Sequence, residues 1–287
     1  MGMGARPLGM CNAFVALSDD INCLYSNCAG LAQLKGSELS ITYDRLFPGL
    51  EDATNINNVF LGYGRNLGND AGSIGVGWMA RNLSDLYYEN AISFSYAREN
   101  YDSLLLGVSA KIYILQYSQT AYTQNGLDNS QNPTGIPDPV FANGYSAYGF
   151  GIDAGLIYKM YKNLSVGLML TDVNQPRVYL SSGKRTPITI KTGLNYKIGG
   201  LNMAMDVSWK ELEFELHGGA ESWFFNDLFA IRGGFGWGTQ EYRCLSCGAS
   251  YCIRQFGSNF RIDYALLYYL TGISPLGNHH VSLHVIF

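Results

Sequence analysis

Apolar and polar residues alternate along most of the chain after residue 35. The last segment shows the pattern most clearly, because every second residue is apolar: Val281, Leu283, Val285 and Phe287. His280, Ser282 and His284 stand between them. A period of two residues places the two kinds of side chain on opposite faces of a β-strand. The pattern therefore predicts strands with one apolar face and one largely polar face.

About fourteen segments of this kind predict an all-β chain. Their ranges are 39–43, 59–63, 74–80, 92–96, 104–114, 150–158, 164–170, 188–198, 202–210, 211–217, 229–237, 245–253, 260–268 and 280–287. An even number of antiparallel strands is typical of single-chain bacterial outer-membrane barrels. The last strand of such a barrel closes against the first, so we expect residues 281–287 to pair near residues 39–43.

The connections between the predicted strands differ in length. The turns at 161–163, 199–200 and 225–227 are short, whereas 48–54, 119–144 and 172–185 are long. Short turns on one rim and longer loops on the other match the periplasmic and external sides of an outer-membrane barrel. We expect the proline-containing 119–144 loop to be a disordered external loop rather than a recognition element.

Composition favours a membrane barrel over a soluble β-sandwich. Charged residues make up only 15% of the chain, compared with roughly 25% in a typical soluble domain. The polar face of a sandwich meets bulk water, whereas the polar faces here are mainly Gly, Ser, Thr and Asn. No apolar run reaches the roughly 18 residues of a membrane-spanning helix, and only helices and closed barrels satisfy their backbone groups in lipid. The sequence therefore predicts a transmembrane antiparallel β-barrel in the lipid of the bacterial outer membrane.

Residues 1–35 lack sustained alternation and form a separate predicted unit. They are short Ala- and Gly-rich pieces, so we expect a small, partly helical plug inside a barrel formed by residues 36–287. Ser18 with Asp19 and Asp20 is expected to cap a helical turn near Ile21. For Asp19 and Asp20, a cap or an anchor of the plug to the wall is expected rather than an acid/base role. The beginning of the chain lacks the apolar core of a secretory signal, so for an outer-membrane location we expect that such a signal was removed or was never part of this sequence.

Charged residues at inward strand positions are the candidate lining of the lumen. These residues are Lys111, Asp153, Lys191, Asp206, Glu213, Arg232, Arg261 and Asp263. Glu213 also belongs to a row with Glu211 and Glu215, which we interpret as a solvated or arginine-paired face rather than a cation site.

No catalytic constellation or metal centre emerges. His280 and His284 share the lumen face, but four residues along a strand span about 13 Å, which is too far for one metal ion. Cys244 and Cys247 are three residues apart in a strand and point to opposite faces. The net charge of −4 provides no basic surface for nucleic acid. We therefore expect no enzymatic activity, no cofactor, no metal and no nucleic-acid partner.

Both ends of the chain resemble a known family of outer-membrane proteins. The motifs lie at residues 4–6, 9–10, 13–20 and 27–31, and at 261–265, 276–282 and Phe287. They are similar to those of PorV/PorQ-like proteins, which are relatives of the FadL long-chain fatty acid transporters. The middle of the chain matches only in strand count, because the FadL-like barrel has fourteen strands. The resemblance places the plug motif at Asp19, Asp20, Asn27, Cys28, Ala29 and Gly30.

The resemblance implies two functions of different classes. As in PorV, the barrel would be a structural or secretion-associated component of a type IX-like system, with secreted proteins as partners. As in FadL relatives, it would instead be a passive conduit for a small hydrophobic molecule that passes a displaced plug. The modest loops favour the first, because FadL-type transporters have extended outer loops. In either case we expect Val281, Leu283, Val285 and Phe287 to act as the signal for the barrel-assembly machinery.

Two cysteines stand where the family pattern has other residues. Cys11 replaces the usual second Gly after Gly-Met, and Cys28 replaces the usual Pro of Asn-Pro-Ala. The loss of Pro frees the backbone angle at that position. Because Cys11, Cys23 and Cys28 cluster in sequence and the predicted compartment is oxidising, we hypothesise that Cys11 and Cys28 bond each other, or that either bonds Cys23.

Overall fold

Fourteen antiparallel strands form one closed barrel in the computed structural model. The structure describes residues 3–50, 54–68, 71–84, 86–100, 103–141, 144–180, 185–255, 257–271 and 276–287. The barrel strands are β1 Ser37–Leu46, β2 Ile56–Asn66, β3 Ser73–Leu83, β4 Tyr87–Asn100, β5 Leu104–Tyr117, β8 Ser146–Tyr161, β9 Leu164–Thr171, β10 Thr189–Ile198, β11 Leu201–Lys210, β12 Glu213–Phe224, β13 Phe229–Gly238, β14 Arg243–Gln255, β15 Ser258–Tyr269 and β16 Asn278–Ile286. The predicted fold class and strand count are confirmed. Within these ranges no helix has the length and apolar content needed to cross a membrane.

The barrel closes between its first and last strands, as the terminal alternation predicted. Ile41 of β1 lies opposite Leu283 of β16 in an antiparallel register. The backbone N–H of Phe287 donates to the carbonyl of Ser37 at 2.9 Å. Both ends of the barrel sequence therefore lie on the rim that carries the short turns.

The outward face of the wall is apolar and the inward face is polar. Val281 is 47% exposed and Val108 is 55% exposed, whereas the inward Thr42 and Ser282 are fully buried. This distribution is the reverse of the one in a soluble protein, and it is expected for a barrel surrounded by lipid. The four predicted assembly-signal residues lie on this outward face of β16 and just beyond it, and their role in assembly stays a prediction.

The long connection between β5 and β8 has local structure, which corrects the prediction of a disordered loop. It contains helix α3 Ala121–Gln124, a hairpin of β6 Asn125–Leu127 and β7 Pro133–Pro137, and the 3₁₀ helix Pro139–Phe141. A capping box between Thr120 and Thr123 begins α3, which the loop's composition did not indicate. Residues 142–143 of the predicted loop lie outside the described residues.

A second correction concerns the tenth predicted strand. β12 begins at Glu213 rather than at residue 211. Glu211 has a positive φ of 54°, and Leu212 is 95% exposed. The two residues form the turn between β11 and β12, because a strand cannot continue through a left-handed backbone angle.

Residues 3–34, called here the amino-terminal segment, lie inside the barrel. The segment contains α1 Ala5–Gly9, α2 Cys23–Ser26 and the 3₁₀ helix Cys28–Gln33. α1 packs against β14 and β15, and the 3₁₀ helix packs against β4, β5 and β8 on another part of the wall. The predicted boundary between residues 35 and 36 stays a prediction.

The helical start expected near Ile21 lies two residues later. α2 begins at Cys23, and its N-cap residue Asn22 makes no side-chain cap. The Oδ1 of Asp20 instead accepts from the N–H of Asn22 at 3.0 Å. The cap prediction is therefore wrong in detail, since Asp20 stabilises the turn before the helix and not the helix end.

Inward glycines let the segment approach the wall closely. A Cβ atom at Gly107 would lie 2.4 Å from the backbone nitrogen of Ala29, and one at Gly234 would lie 2.5 Å from the carbonyl carbon of Met10. A side chain at either position cannot fit without moving backbone. These glycines therefore determine how deeply the segment sits against β5 and β13.

Candidate functional site

The amino-terminal segment is joined to the wall by a buried arginine. Arg6 in α1 donates from Nε and Nη2 to both carboxylate oxygens of Glu221 on β12, at 2.8 and 2.7 Å. Its Nη1 donates to Asp19 and Asp20 of the same segment, at 2.6 and 2.9 Å. Arg6 is 3% exposed and Glu221 is fully buried. The bidentate geometry of this pair makes its charge-assisted hydrogen bonds stronger than neutral ones, and burial makes the loss of either partner costly.

The wall supplies a second arginine to the segment. Arg261 on β15 donates from Nη2 to the Oδ2 of Asp20 at 2.7 Å and from Nε to Asp263 at 3.0 Å. Arg232 on β13 donates from Nε to the Oε2 of Glu221 at 3.1 Å. The two predicted lumen arginines and Asp263 thus belong to one network with the segment. Asp20 anchors the segment to the wall, which was one of its two predicted roles.

His284 of the last strand extends this network. The Nδ1 of His284 lies 3.0 Å from Glu38 and its Nε2 lies 3.1 Å from Asp263. Potential metal ligands of Asp20, Glu38 and His284 lie within 4.8 Å of one another. However, the Arg261 guanidinium lies among them, with its Nη2 3.2 Å from His284 Nδ1. We interpret the cluster as an ion-pair network, because a cation already neutralises its carboxylates.

Two polar side chains bind the backbone of the segment. Asp206 on β11 accepts through Oδ2 from the N–H groups of Phe14 and Val15, at 2.6 and 2.8 Å. Asn27 donates through Nδ2 to the carbonyl oxygens of Val15 and Leu156, each at 3.0 Å. Asp206 thus satisfies two backbone N–H groups of the segment, and Asn27 joins the segment backbone at Val15 to the wall strand β8.

The other residues of the predicted plug motif are packing residues. Cys28 is buried in a cluster with Val15 and Met169. Ala29 donates its N–H to Asn27 Oδ1 at 3.2 Å, which caps the 3₁₀ helix. A Cβ atom at Gly30 would lie 2.1 Å from the carbonyl oxygen of Ser18, so Gly30 is needed for two turns of the segment to meet.

The structure does not bring together the cysteines that were predicted to pair. Cys11 contacts Cys244 of β14, while Cys23 and Cys28 pack in two other clusters. Cys244 is buried and Cys247 is exposed, as expected for residues three apart in a strand.

A cavity of about 500 Å³ occupies the lumen between the amino-terminal segment and the rim with the longer connections. Val15, Leu24 and Tyr25 of the segment line it from below. The wall contributes side chains near the ends of strands at that rim, such as Tyr87 at the start of β4 and Leu115 near the end of β5. The cavity is therefore a partly apolar pocket with the segment as its floor.

Charged side chains on opposite walls also line the cavity. Lys111 on β5 forms ion pairs with Asp153 and Asp172 at 2.7 and 3.0 Å. Across the cavity, the Nε2 of His217 lies 3.3 Å from Glu215. The predicted lumen residues Lys191, Asp206 and Glu213 also line it. Among the described lining residues, the buried atoms Asp206 Oδ1 and His217 Nδ1 have no hydrogen-bond partner.

The structure separates the predicted lumen residues into two groups. Arg232, Arg261 and Asp263 belong to the ion network under the segment, and the remaining five line the cavity. Sequence reasoning missed Arg6, Glu221 and Glu38. Arg6 offered a signal, since it is the only Lys or Arg among the first 34 residues and a lone cation in an enclosed segment needs a carboxylate partner.

Several solved structures share this architecture over nearly the whole chain. The CymD monoaromatic hydrocarbon channel matches with a TM-score of 0.69 at 14% identity, covering 99% of this chain and 96% of that one. The toluene transporter TodX of Pseudomonas putida matches with a TM-score of 0.68 at 14% identity and the same coverage. A FadL homologue of Pseudomonas aeruginosa matches with a TM-score of 0.64 at 11% identity, covering 99% of this chain and 98% of that one. At these identities the likeness shows the FadL-like barrel fold.

Sequence comparisons add no assignment. No protein-family model matches the chain, and no curated protein matches it.

Proposed function

We propose that this chain is a passive channel of the bacterial outer membrane for small molecules with a substantial apolar part. The observation that carries the proposal is the cavity of about 500 Å³ between the amino-terminal segment and the rim with longer connections. Structures with the same fold bear the names of a monoaromatic hydrocarbon channel and a toluene transporter. The apolar outer face of the barrel supports a location in the membrane. The proposal assigns no enzymatic role to the chain.

The lining of the cavity supports a molecule that also carries a polar group. Leu24, Met79, Leu115 and Val178 provide apolar contacts. Asp206 Oδ1 and His217 Nδ1 are buried without partners, and a buried polar atom without a hydrogen bond costs about 1–3 kcal/mol. A polar group on the bound molecule would remove that cost, so an amphipathic molecule fits this cavity better than a pure hydrocarbon.

Passage then depends on the amino-terminal segment. The segment forms the floor of the cavity. It is held on one side by the hydrogen bonds of Arg6 and Arg261, and on the other by the packing of its 3₁₀ helix against β4, β5 and β8. A molecule that enters from the cavity side leaves only when part of this segment moves aside.

The proposal is tested by uptake through the protein in an outer membrane. Cells that express the chain receive radiolabelled toluene or octanoate, and the initial uptake rate is compared with that of cells without it. Ser208→Trp places a large ring in the cavity lining of β11. Met205→Trp is the matched control, because Met205 lies on the same strand and is 49% exposed on the outward face.

We expect Ser208→Trp to lower uptake of octanoate to the background rate and Met205→Trp to leave it unchanged. Heat-dependent mobility on a denaturing gel verifies that both variants fold and are present in equal amounts. Equal uptake by the two variants, or no uptake above background by the unaltered chain, would overturn the channel proposal.

The end motifs support a second candidate, a PorV/PorQ-like secretion role. The structural neighbours support transport better, because several of them are named as hydrocarbon channels or toluene transporters. Purification in mild detergent followed by mass spectrometry separates the two functions. A stoichiometric lipid-like molecule supports transport, whereas a stoichiometric secreted protein supports the escort role.

A further inference from the structure

Two cysteines that are far apart in the chain meet inside the barrel. Cys11 follows α1 in the amino-terminal segment, and Cys244 lies on the inward face of β14. Their sulfur atoms are 2.6 Å apart across a separation of 233 residues. Both residues are buried, with exposures of 0% and 1%. Two thiols in ordinary van der Waals contact are further apart than this.

The surroundings provide space for these two sulfur atoms. Gly236 of β13 lies opposite Cys244 in the strand register. A Cβ atom at Gly236 would lie 2.7 Å from the sulfur of Cys244 and 3.1 Å from that of Cys11. Apolar side chains of Leu8, Ala265 and Leu267 enclose the pair. The absence of a side chain at Gly236 is therefore what lets both sulfurs occupy one site.

The backbone at Cys11 adds an independent observation. Cys11 has a positive φ of 53°, in the left-handed region that favours glycine. A Cys at this position carries a conformational cost that a Gly would not. The cost is offset if the side chain makes an interaction that glycine cannot make.

Metal binding does not account for the pair. In the part of the chain that the structure describes, the cluster of metal-ligand groups is formed by Asp20, Glu38 and His284, and it includes neither cysteine. Two thiolates without further ligands do not complete the four-coordinate site that zinc requires.

We propose that Cys11 and Cys244 form a disulfide bond that ties the amino-terminal segment to the barrel wall. The oxidant is a disulfide of the thiol–disulfide oxidoreductase class or a small-molecule disulfide. One cysteine thiolate attacks a sulfur of the oxidant disulfide, breaking that bond and releasing the first oxidant thiolate. The second cysteine then attacks the mixed disulfide and releases the second. The two protons of the cysteine thiols pass to the two departing sulfurs, so two cysteines are oxidised and one oxidant disulfide is reduced.

The cross-link determines which part of the segment can move. It fixes the chain at Cys11, just after α1, to Cys244 of β14. The covalent loop that it closes spans 233 residues of the sequence. Residues 12–34 contain Asn27 and the 3₁₀ helix and lie beyond this tether. Any opening of the lumen therefore involves residues 12–34 while α1 stays against β14 and β15. The cross-link depends on the oxidising location but not on what the barrel conducts.

The test uses the full-length protein extracted from outer membranes. Free thiols are blocked with N-ethylmaleimide under denaturing conditions, without reductant, and the tryptic peptides are fragmented in the mass spectrometer to locate the label. Fragmentation is needed because trypsin leaves Cys11, Cys23 and Cys28 on one peptide and Cys244, Cys247 and Cys252 on another. We expect these two peptides to be linked, with the label on the other four cysteines and none on Cys11 or Cys244. Before labelling, the intact protein should be lighter by two hydrogen atoms than the fully reduced chain. Modification of all six cysteines without reduction, or a linked pair between other cysteines, would overturn the proposal.

A second measurement detects the tether itself. Hydrogen exchange of α1 amides is compared before and after reduction in the unaltered chain and in Cys11→Ala, Cys244→Ala and the control Cys247→Ala, whose parent residue is exposed on the same strand. We expect reduction to raise exchange in the unaltered chain and in the control only. The same response in Cys11→Ala would exclude a role for this pair. Failure of octanoate uptake would leave this result unaffected, so the cross-link and the channel proposal fail separately.

Discussion

Glu221 is the position where the docking of the amino-terminal segment is most directly perturbed. Its carboxylate accepts four hydrogen bonds: two from Arg6, one from Arg232 and one from the indole N–H of Trp223. Glu221→Gln keeps the shape but replaces one acceptor oxygen with a donor facing other donors. In this variant Arg6 still forms ion pairs with Asp19 and Asp20, so its charge loses one of its three carboxylate partners.

The magnitude follows from the burial of both partners. Removing one member of a buried ion pair costs about 3–5 kcal/mol when the other charge is left without compensation. Because Arg6 keeps Asp19 and Asp20, we expect the lower end of this range, about 3 kcal/mol. The barrel itself is held by fourteen hydrogen-bonded strand pairings, so this energy is lost locally, from the docked segment. At about 1.4 kcal/mol per factor of ten, amide protection in α1 should fall by roughly two orders of magnitude.

Hydrogen exchange followed by mass spectrometry measures this effect on the purified protein. Glu213→Gln is the control, because Glu213 lies on the same strand but lines the cavity. We expect fast exchange across α1 in Glu221→Gln, native exchange in Glu213→Gln, and unchanged heat-dependent gel mobility in both. Equal α1 protection in the two variants would refute the conclusion that the Arg6 pair holds the segment.

Two further predictions concern close packing and pH. Gly107→Ala should displace the 3₁₀ helix, since its new Cβ would lie 2.4 Å from the backbone nitrogen of Ala29. In the control Gly233→Ala the nearest atom to the new Cβ is 3.6 Å away. A protease added to cells or vesicles should therefore cleave the amino-terminal segment faster in Gly107→Ala than in Gly233→Ala. Burial raises the pKa of Asp20, but the charges of Arg6 and nearby Arg261 lower it by more, so its pKa lies below the usual value. A lowered pKa contributes stability that is complete above the unfolded value of about 3.9 and is lost as the pH falls below it. Segment protection, corrected for intrinsic exchange, should therefore hold from pH 7 to about 5 and decrease below about 4, and Asp20→Asn should reduce both the protection and its acid dependence; an acid response as large as that of the unaltered chain would contradict this role.

The local pattern of the sequence was sufficient to predict the wall. Each of the fourteen predicted segments corresponds to a barrel strand, and the predicted pairing of residues 39–43 with the last strand is present in the register Ile41–Leu283. The sequence pattern failed where local chemistry overrides alternation. The Glu211–Leu212 turn continues the alternation of β12 but has a left-handed backbone, and the capping box at Thr120 gives structure to a loop whose composition is typical of disorder.

The sequence by itself determined that alternate residues face lipid or lumen, because a strand has a period of two and the two environments select opposite side chains. It also identified the charged residues that face inward. Only the tertiary structure decided their partners, since alternation specifies the face of a residue and not its height or its neighbour across the lumen. Arg6 meets Glu221 across 215 residues, and Cys11 meets Cys244 across 233. Contacts of this kind exist only once the barrel has closed around the amino-terminal segment.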